Sequence, residues 1–242
     1  ANDIISRGGK ELIQRDIEIE SKFSIFSTKK LSEVQKKQIP KTVFFGDRDF
    51  ININYIDIPK DILNKPIKNV IITSKNAVES ILTSSRGLKL KFENIFCVGE
   101  KTKTIIEKNI GKVNLWKRNS KDLALEIIKR FPNERAIYFC GNKRLNTLPL
   151  LLKKNHIVLE EVVSYSTSSN SSVLNYDFSA IMFFSPSSVQ SFLEKNEPGA
   201  MAFCLGKETA IEAGKYFNNV QVANSPDFES LIKLIEINLK KV

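Results

Sequence analysis

The chain has 242 residues, 42% of them apolar and 26% charged, an ordinary globular composition with room for one large domain or two lobes of about 100 residues, each burying its own core. No apolar run approaches the ~20 residues of a membrane span, and no secretory signal is visible in the largely polar opening, so a cytoplasmic protein is expected. The 37 Lys and Arg against 27 Asp and Glu, a formal charge of +10, point to an anionic partner. The lysines are spread along the chain and match no nucleic-acid-binding motif.

Residues 1–21 lie outside the pattern that follows. They read as a short helix broken at Gly8-Gly9 and then a charged stretch, and the absence of an initiator Met marks a processed chain or a piece of a longer one. From Phe23, FSIF reads as a strand, Thr28 to Gln38 as a helix and TVFF as a strand. FININYIDI then alternates apolar and polar residues like a half-exposed strand. NVIIT is a buried strand, SKNAVESILTS a helix, NIFCVG a strand and KTKTIIEKN a helix. VNLW is a strand, Asp122 to Phe131 a helix and AIYFC a strand. LNTLPLLLKKN is a helix with Pro149 early, where proline is tolerated. IVLEEVVSYST alternates again, and AIMFF, PSSVQSFLEK, AFCLG, ETAIEAGKYF, VQVA and FESLIKLIEINLKK close the chain.

Much of this is said twice. NVIITSKNAVESIL (Asn69 to Leu82) returns as SAIMFFSPSSVQSFL (Ser179 to Leu193), and IFCVGEKTKTIIEK (Ile95 to Lys108) as AFCLGKETAIEAGK (Ala202 to Lys215). FSIFSTKKL is echoed by AIYFCGNKRL. Each copy is a strand, a tight turn and a helix, too long a period for a solenoid. The expectation is an α/β fold of two similar lobes, each a parallel sheet flanked by helices. Ligands of such sheets bind beyond the carboxyl ends of strands, where helix N-termini point. The two long alternating segments are the natural antiparallel crossings between lobes.

The turns carry the candidate chemistry. TSKNAV and SPSSV place hydroxyls at helix N-caps, where N–H groups left over can hold an anion; plain capping is the simpler reading of either alone. VGEKT and LGKET are strand–Gly–x–x–Thr turns, and neither a GxxxxGK[ST] nor a GxGxxG sequence is present. GNKR and STKK each put a basic pair at a helix start, against the helix dipole, which favours an anionic ligand there. Tyr165, among small and β-branched neighbours, is either a packing residue or a phenol offered as a hydrogen-bond donor. His156, the one histidine, sits in a polar turn and reads as a surface residue. Cys97, Cys140 and Cys204 form no CxxC pair and read as reduced, buried cysteines of a cytoplasmic protein.

ITSKNAV, VGEKT, FCGNKR, EEVVSYST, FFSPSSV and LGKET, in this order over Phe23 to Val242, resemble the uroporphyrinogen-III synthase family. The resemblance implies a discontinuous lobe of residues 22–53 plus 165–242, a second lobe of residues 54–164, and a two-stranded antiparallel linker joining them. It implies a cyclising lyase of tetrapyrrole and heme biosynthesis. Linear hydroxymethylbilane loses water and closes to uroporphyrinogen III with inversion of ring D, through an azafulvene and a spiro intermediate, with no cofactor and no metal. The substrate's eight carboxylates suit a basic chain. By motif match, Thr28, Ser74, Thr102, Ser185, Ser187, Lys207 and Thr209 bind substrate, and Tyr165 is a non-essential donor to the departing hydroxyl. The chain departs from the family at FSIFSTKK, with Lys29 and Lys30 where an arginine is common, and in GDRDFININYIDIP. Asn2 to Ile13 resembles the closing helix of hydroxymethylbilane synthase, which implies a fused or functional link to that enzyme. The expected state is a cytoplasmic monomer with no nucleic-acid or membrane partner. The competing readings are a non-catalytic two-lobed binding module for an anionic small molecule and a basic nucleic-acid-binding α/β protein; the latter leaves the duplicated hydroxyl turns unexplained.

Overall fold

The computed structural model describes residues 23–240, so the N-terminal extension and its resemblance lie outside the described residues. In chain order the elements are β1 (Ser24–Ser27), α1 (Glu33–Lys36), β2 (Phe44–Asp47), β3 (Ile51–Tyr55), α2 (Lys60–Leu63), β4 (Ile67–Ile72), α3 (Lys75–Ser84), β5 (Phe92–Val98), α4 (Glu100–Asn109) and β6 (Leu115–Lys117). They continue with α5 (Ser120–Arg130), β7 (Arg135–Gly141), α6 (Thr147–Lys154), β8 (Val158–Ser169), β9 (Ala180–Phe183), α7 (Pro186–Leu193), β10 (Met201–Cys204), α8 (Lys207–Ala213), β11 (Val220–Val222) and α9 (Phe228–Leu239). Two compact units result: the described residues up to Asn52 with those from Ser169 onward, and Ile53–Ser168. The chain passes from one to the other within β3 and at the end of β8.

The Ile53–Ser168 unit holds a six-stranded sheet in the order β3-β8-β7-β4-β5-β6, with β8, β7, β4, β5 and β6 paired parallel. Successive side chains of a strand alternate faces, and β4 shows the result. Val70 and Ile72 join Ala77, Val78, Ile81 and Ile106 of α3 and α4 in one core, while Ile71 joins Leu123, Ile127, Leu148 and Leu152 of α5 and α6 in another. With both faces covered, the strand reads as a continuous apolar run.

The other unit repeats the plan. Its five-stranded sheet runs β11-β10-β9-β1-β2, all parallel. Ile25, Met182 and Phe203 pack under α9, while Phe26, Ile181, Phe183 and Cys204 pack with Val189, Phe192 and Ala213 of α7 and α8. In sheet order β9, β10, β11, β1 and β2 take the places of β4, β5, β6, β7 and β8. The counterpart of β8 is therefore β2, not the FININYIDI segment, whose strand is confined to Ile51–Tyr55 and lies outside β8.

One expected helix is largely absent. Of Thr28 to Gln38 only Glu33–Lys36 is helical, and the residues before it are held by acceptors on other segments. Thr28 N donates to Met182 O at 3.1 Å, Lys30 N to Asp49 Oδ1 at 2.9 Å and Leu31 N to Asp47 Oδ2 at 2.7 Å. The helix begins only where Ser32 and Gln35 form a capping box, two orphan backbone donors satisfied reciprocally.

Candidate functional site

Just beyond β4, Thr73 and Ser74 bring their hydroxyls to the phenols of Tyr138 on β7 and Tyr165 on β8. Thr73 Oγ1 lies 2.8 Å from the Tyr138 hydroxyl. Ser74, one residue on, caps α3 by accepting from Asn76 N, and its side chain lies near enough to the Tyr165 phenol to influence its titration. Burial pushes the Tyr138 phenol up to about 12 against the effect of its hydrogen bond with Thr73. Burial likewise raises Tyr165, with Ser74 opposing and the Cys140 thiol adding a little. Desolvation disfavours the charged form, so both phenols stay protonated at neutral pH and can donate.

Tyr165 owes its place to the β7–β8 pairing. The register shifts at Cys140/Gly141, and Gly141 falls opposite Tyr165. A bulge of this kind re-aims a side chain. Asn142 N donates to Tyr165 O at 3.2 Å, and Asn142 Oδ1 accepts from Thr167 N at 2.8 Å, so a side chain carries the ladder past the irregularity. Asn142 and the Thr73–Tyr138 pair were not singled out from the sequence; neither cross-strand register nor a contact across it is written in a linear motif.

The basic pair of GNKR divides. Arg144 is spent on Glu161, which it reaches through Nε and Nη2 and which Lys153 Nζ also approaches at 2.9 Å; Lys143 stays exposed. In STKK, Lys29 Nζ stands 5.8 Å over the Phe184 ring, the distance of a cation–π contact.

Thr102 and Thr209 are a matched pair. Each is the third residue of a helix that starts at a glycine with no side-chain cap, α4 after Gly99 and α8 after Gly206. Each is buried, at 8% and 4% exposure, yet neither hydroxyl makes a hydrogen bond among the described residues. The hydroxyl oxygens themselves are not enclosed, so each is open to solvent or to a ligand. The glycines themselves differ: Gly99 has φ +84°, a conformation glycine adopts readily, whereas Gly206 is extended at φ −154°.

The remaining sequence-derived residues line the carboxyl ends of β1, β9 and β10. Ser185 caps α7 in a capping box with Ser188, its Oγ accepting from Ser188 N at 3.2 Å. Ser187, in the same first turn, is half-buried and its hydroxyl has no hydrogen bond among the described residues. Lys207 opens α8, exposed and without an ion pair among the described residues. Thr28 is tied into the fold, its Oγ1 donating to Met182 O at 2.8 Å. Ser74, Thr102 and Tyr165 thus belong to the Ile53–Ser168 unit, and Thr28, Ser185, Ser187, Lys207 and Thr209 to the other. Among the described residues no group of His, Cys, Asp and Glu could hold a metal ion, and Cys97, Cys140 and Cys204 are free and buried, their thiols pushed up by burial to about 12, 11 and 12.

The uroporphyrinogen-III synthase HemD family model matches residues 53–233. The chain belongs to the uroporphyrinogen-III synthase family. No curated protein matches it by sequence, but solved structures share its fold. The uroporphyrinogen-III synthetase of Helicobacter pylori 26695 aligns at TM-score 0.66 and 17% identity, over 91% of this chain and 100% of that one. A mutant uroporphyrinogen III synthase of the extremely thermophilic bacterium Thermus thermophilus aligns at 0.68 and 13%, over 91% and 100%. The wild-type Thermus enzyme in another crystal form gives 0.53 and 14%, over 90% and 98%. The chain is accordingly a uroporphyrinogen-III synthase-family lyase of tetrapyrrole biosynthesis, cyclising hydroxymethylbilane with inversion of ring D and loss of water.

Proposed function

We propose that the chain performs this cyclisation chiefly by holding its substrate, at the carboxyl ends of the strands just described. The observation that carries the reading is the repeated one: Thr102 and Thr209, each buried in the first turn of a helix without a side-chain cap, each with a hydroxyl that makes no hydrogen bond among the described residues. Helix N-termini favour anions, and the substrate is a polycarboxylate. Ser74, Ser185, Ser187 and Lys207 extend the same set, and Thr28 supports it from within the fold. Tyr165, neutral and donating, protonates the hydroxyl as the C–O bond of the hydroxymethyl group breaks, so that oxygen leaves as water; the azafulvenium left behind gives its pyrrole N–H proton back to the phenolate and becomes the azafulvene. A flexible linear tetrapyrrole closes without help to the isomer lacking inversion, so positioning decides the product.

The further reading is of a cytoplasmic monomer, linked to hydroxymethylbilane synthase through the Asn2 to Ile13 segment. Among the described residues no helix is long and apolar enough to cross a membrane. An upstream reading frame discontinuous with Asn2 would remove the fusion.

The test of activity is a coupled assay. Hydroxymethylbilane is generated in situ from porphobilinogen, the chain is added, and the oxidised uroporphyrins are separated. Isomer III in place of isomer I is the expected result. Isomer I alone from a folded chain overturns the reading in favour of a binding module.

A further inference from the structure

Gly141 is a glycine that the backbone does not require. The positive-φ glycines among the described residues are Gly87 and Gly99; Gly141 ends β7 in a conformation any residue adopts. A glycine within a strand weakens it and marks a bulge or a close approach. Here the approach is visible. A Cβ built on Gly141 would stand 2.5 Å from Tyr165 Cζ, 2.6 Å from Cε2 and 2.8 Å from the hydroxyl oxygen. These are distances no Cβ tolerates, and the three nearest atoms all belong to the far end of one side chain.

We propose that Gly141 is a positioning residue for Tyr165, its missing side chain being the space in which the phenol lies. The inference rests on the reading of Tyr165 as the donor. Several observations define the placement. The register shift at Cys140/Gly141 puts Tyr165 opposite the glycine. Asn142 fixes the backbone of Tyr165 and Thr167 beyond it. Ser74, the cap of α3, stands close enough to the phenol to lower its pKa against the effect of burial. The backbone is thus pinned and the ring is the part free to yield. A methyl group at position 141 swings the phenol out of the space it fills and leaves the two strands paired.

The test compares Gly141→Ala, Tyr165→Ala and the double variant in the isomer assay, together with ultraviolet titration of the phenols, Tyr165→Phe serving to assign the Tyr165 signal. The expected result is a loss of turnover of about 10- to 100-fold in Gly141→Ala, the usual consequence of misplacing a group by an ångström, with KM little changed. In the Tyr165→Ala background the same substitution adds less than about twofold, since residues acting through one another are not additive. The Tyr165 titration midpoint falls toward the ordinary tyrosine value as the ring leaves its buried place. An unchanged midpoint, or an equal loss of turnover in both backgrounds, overturns the proposal. Turnover in Tyr165→Ala judges the donor reading and the midpoint judges the placement, so the two fail separately. If Gly141→Ala does not fold, a folded double variant still identifies the ring as the obstacle, and an unfolded one overturns the proposal.

Discussion

At Glu161 burial and ion pairing pull in opposite directions. Burial alone would raise its carboxyl, but hydrogen bonds from Lys153 and Arg144 outweigh it and hold the group below its usual range. A carboxyl depressed in the folded state contributes stability that is present above its unfolded value and lost as pH falls through its folded one. We expect Glu161→Gln to cost about 1–3 kcal/mol near neutral pH, where Arg144 is left without its charged partner. The gap from the parent chain should close in acid, which urea unfolding over a pH series would read. Tyr165 is the opposite case, a group kept neutral by burial. Its removal as Tyr165→Phe should slow turnover by less than about 100-fold, the lower end of what a positioned acid supplies, because holding the substrate does not depend on it. Complete loss of isomer III from a folded variant would contradict this.

Among the elements, VGEKT and LGKET show what a motif conceals. In sequence they are the same turn; in the structure Gly99 lies at φ +84° and Gly206 at φ −154°. Gly99→Ala should therefore cost about 1–3 kcal/mol of stability, the strain of a conformation nearly reserved for glycine. Gly206→Ala meets only Pro226 Cβ at 3.9 Å and should leave the melting temperature almost unmoved. Equal shifts for the two would contradict the difference. Strand–turn–helix units were legible because apolar runs and capping serines are local signals; Ser74 and Ser185 cap as their motifs require. The helix expected from Thr28 was not, since what holds Lys30 and Leu31, the carboxylates of Asp49 and Asp47, comes from a later segment. The partner of Gly141 was hidden for the same reason, since register across strands is a tertiary property.

For the molecule as a whole, the duplicated sequence foretold two similar sheets, and the shared strand order bears that out. Which strand answers to which was less clear, since alternation pointed to FININYIDI while sheet order makes β2 the counterpart of β8. Charge acts at this scale too. With a formal charge of +10 and a polyanionic substrate, KM should rise with ionic strength as screening shortens electrostatic reach to about 8 Å at physiological salt; a KM indifferent to salt would place recognition in short-range contacts alone. The Ile53–Ser168 unit has both its cores within one continuous segment. The other is assembled from two segments, with β1 held between β2 and β9. That arrangement has a consequence during synthesis. Ser24 bonds to Ser179, 155 positions later, so at the ribosome's ~5–20 residues per second the nascent β1 waits roughly 8–30 s for β9 to exist. Throughout that interval the phenylalanine-rich FSIF and TVFF stretches have no β9 to pair with and no finished core to enter, which makes them the segments of this chain most in need of a chaperone.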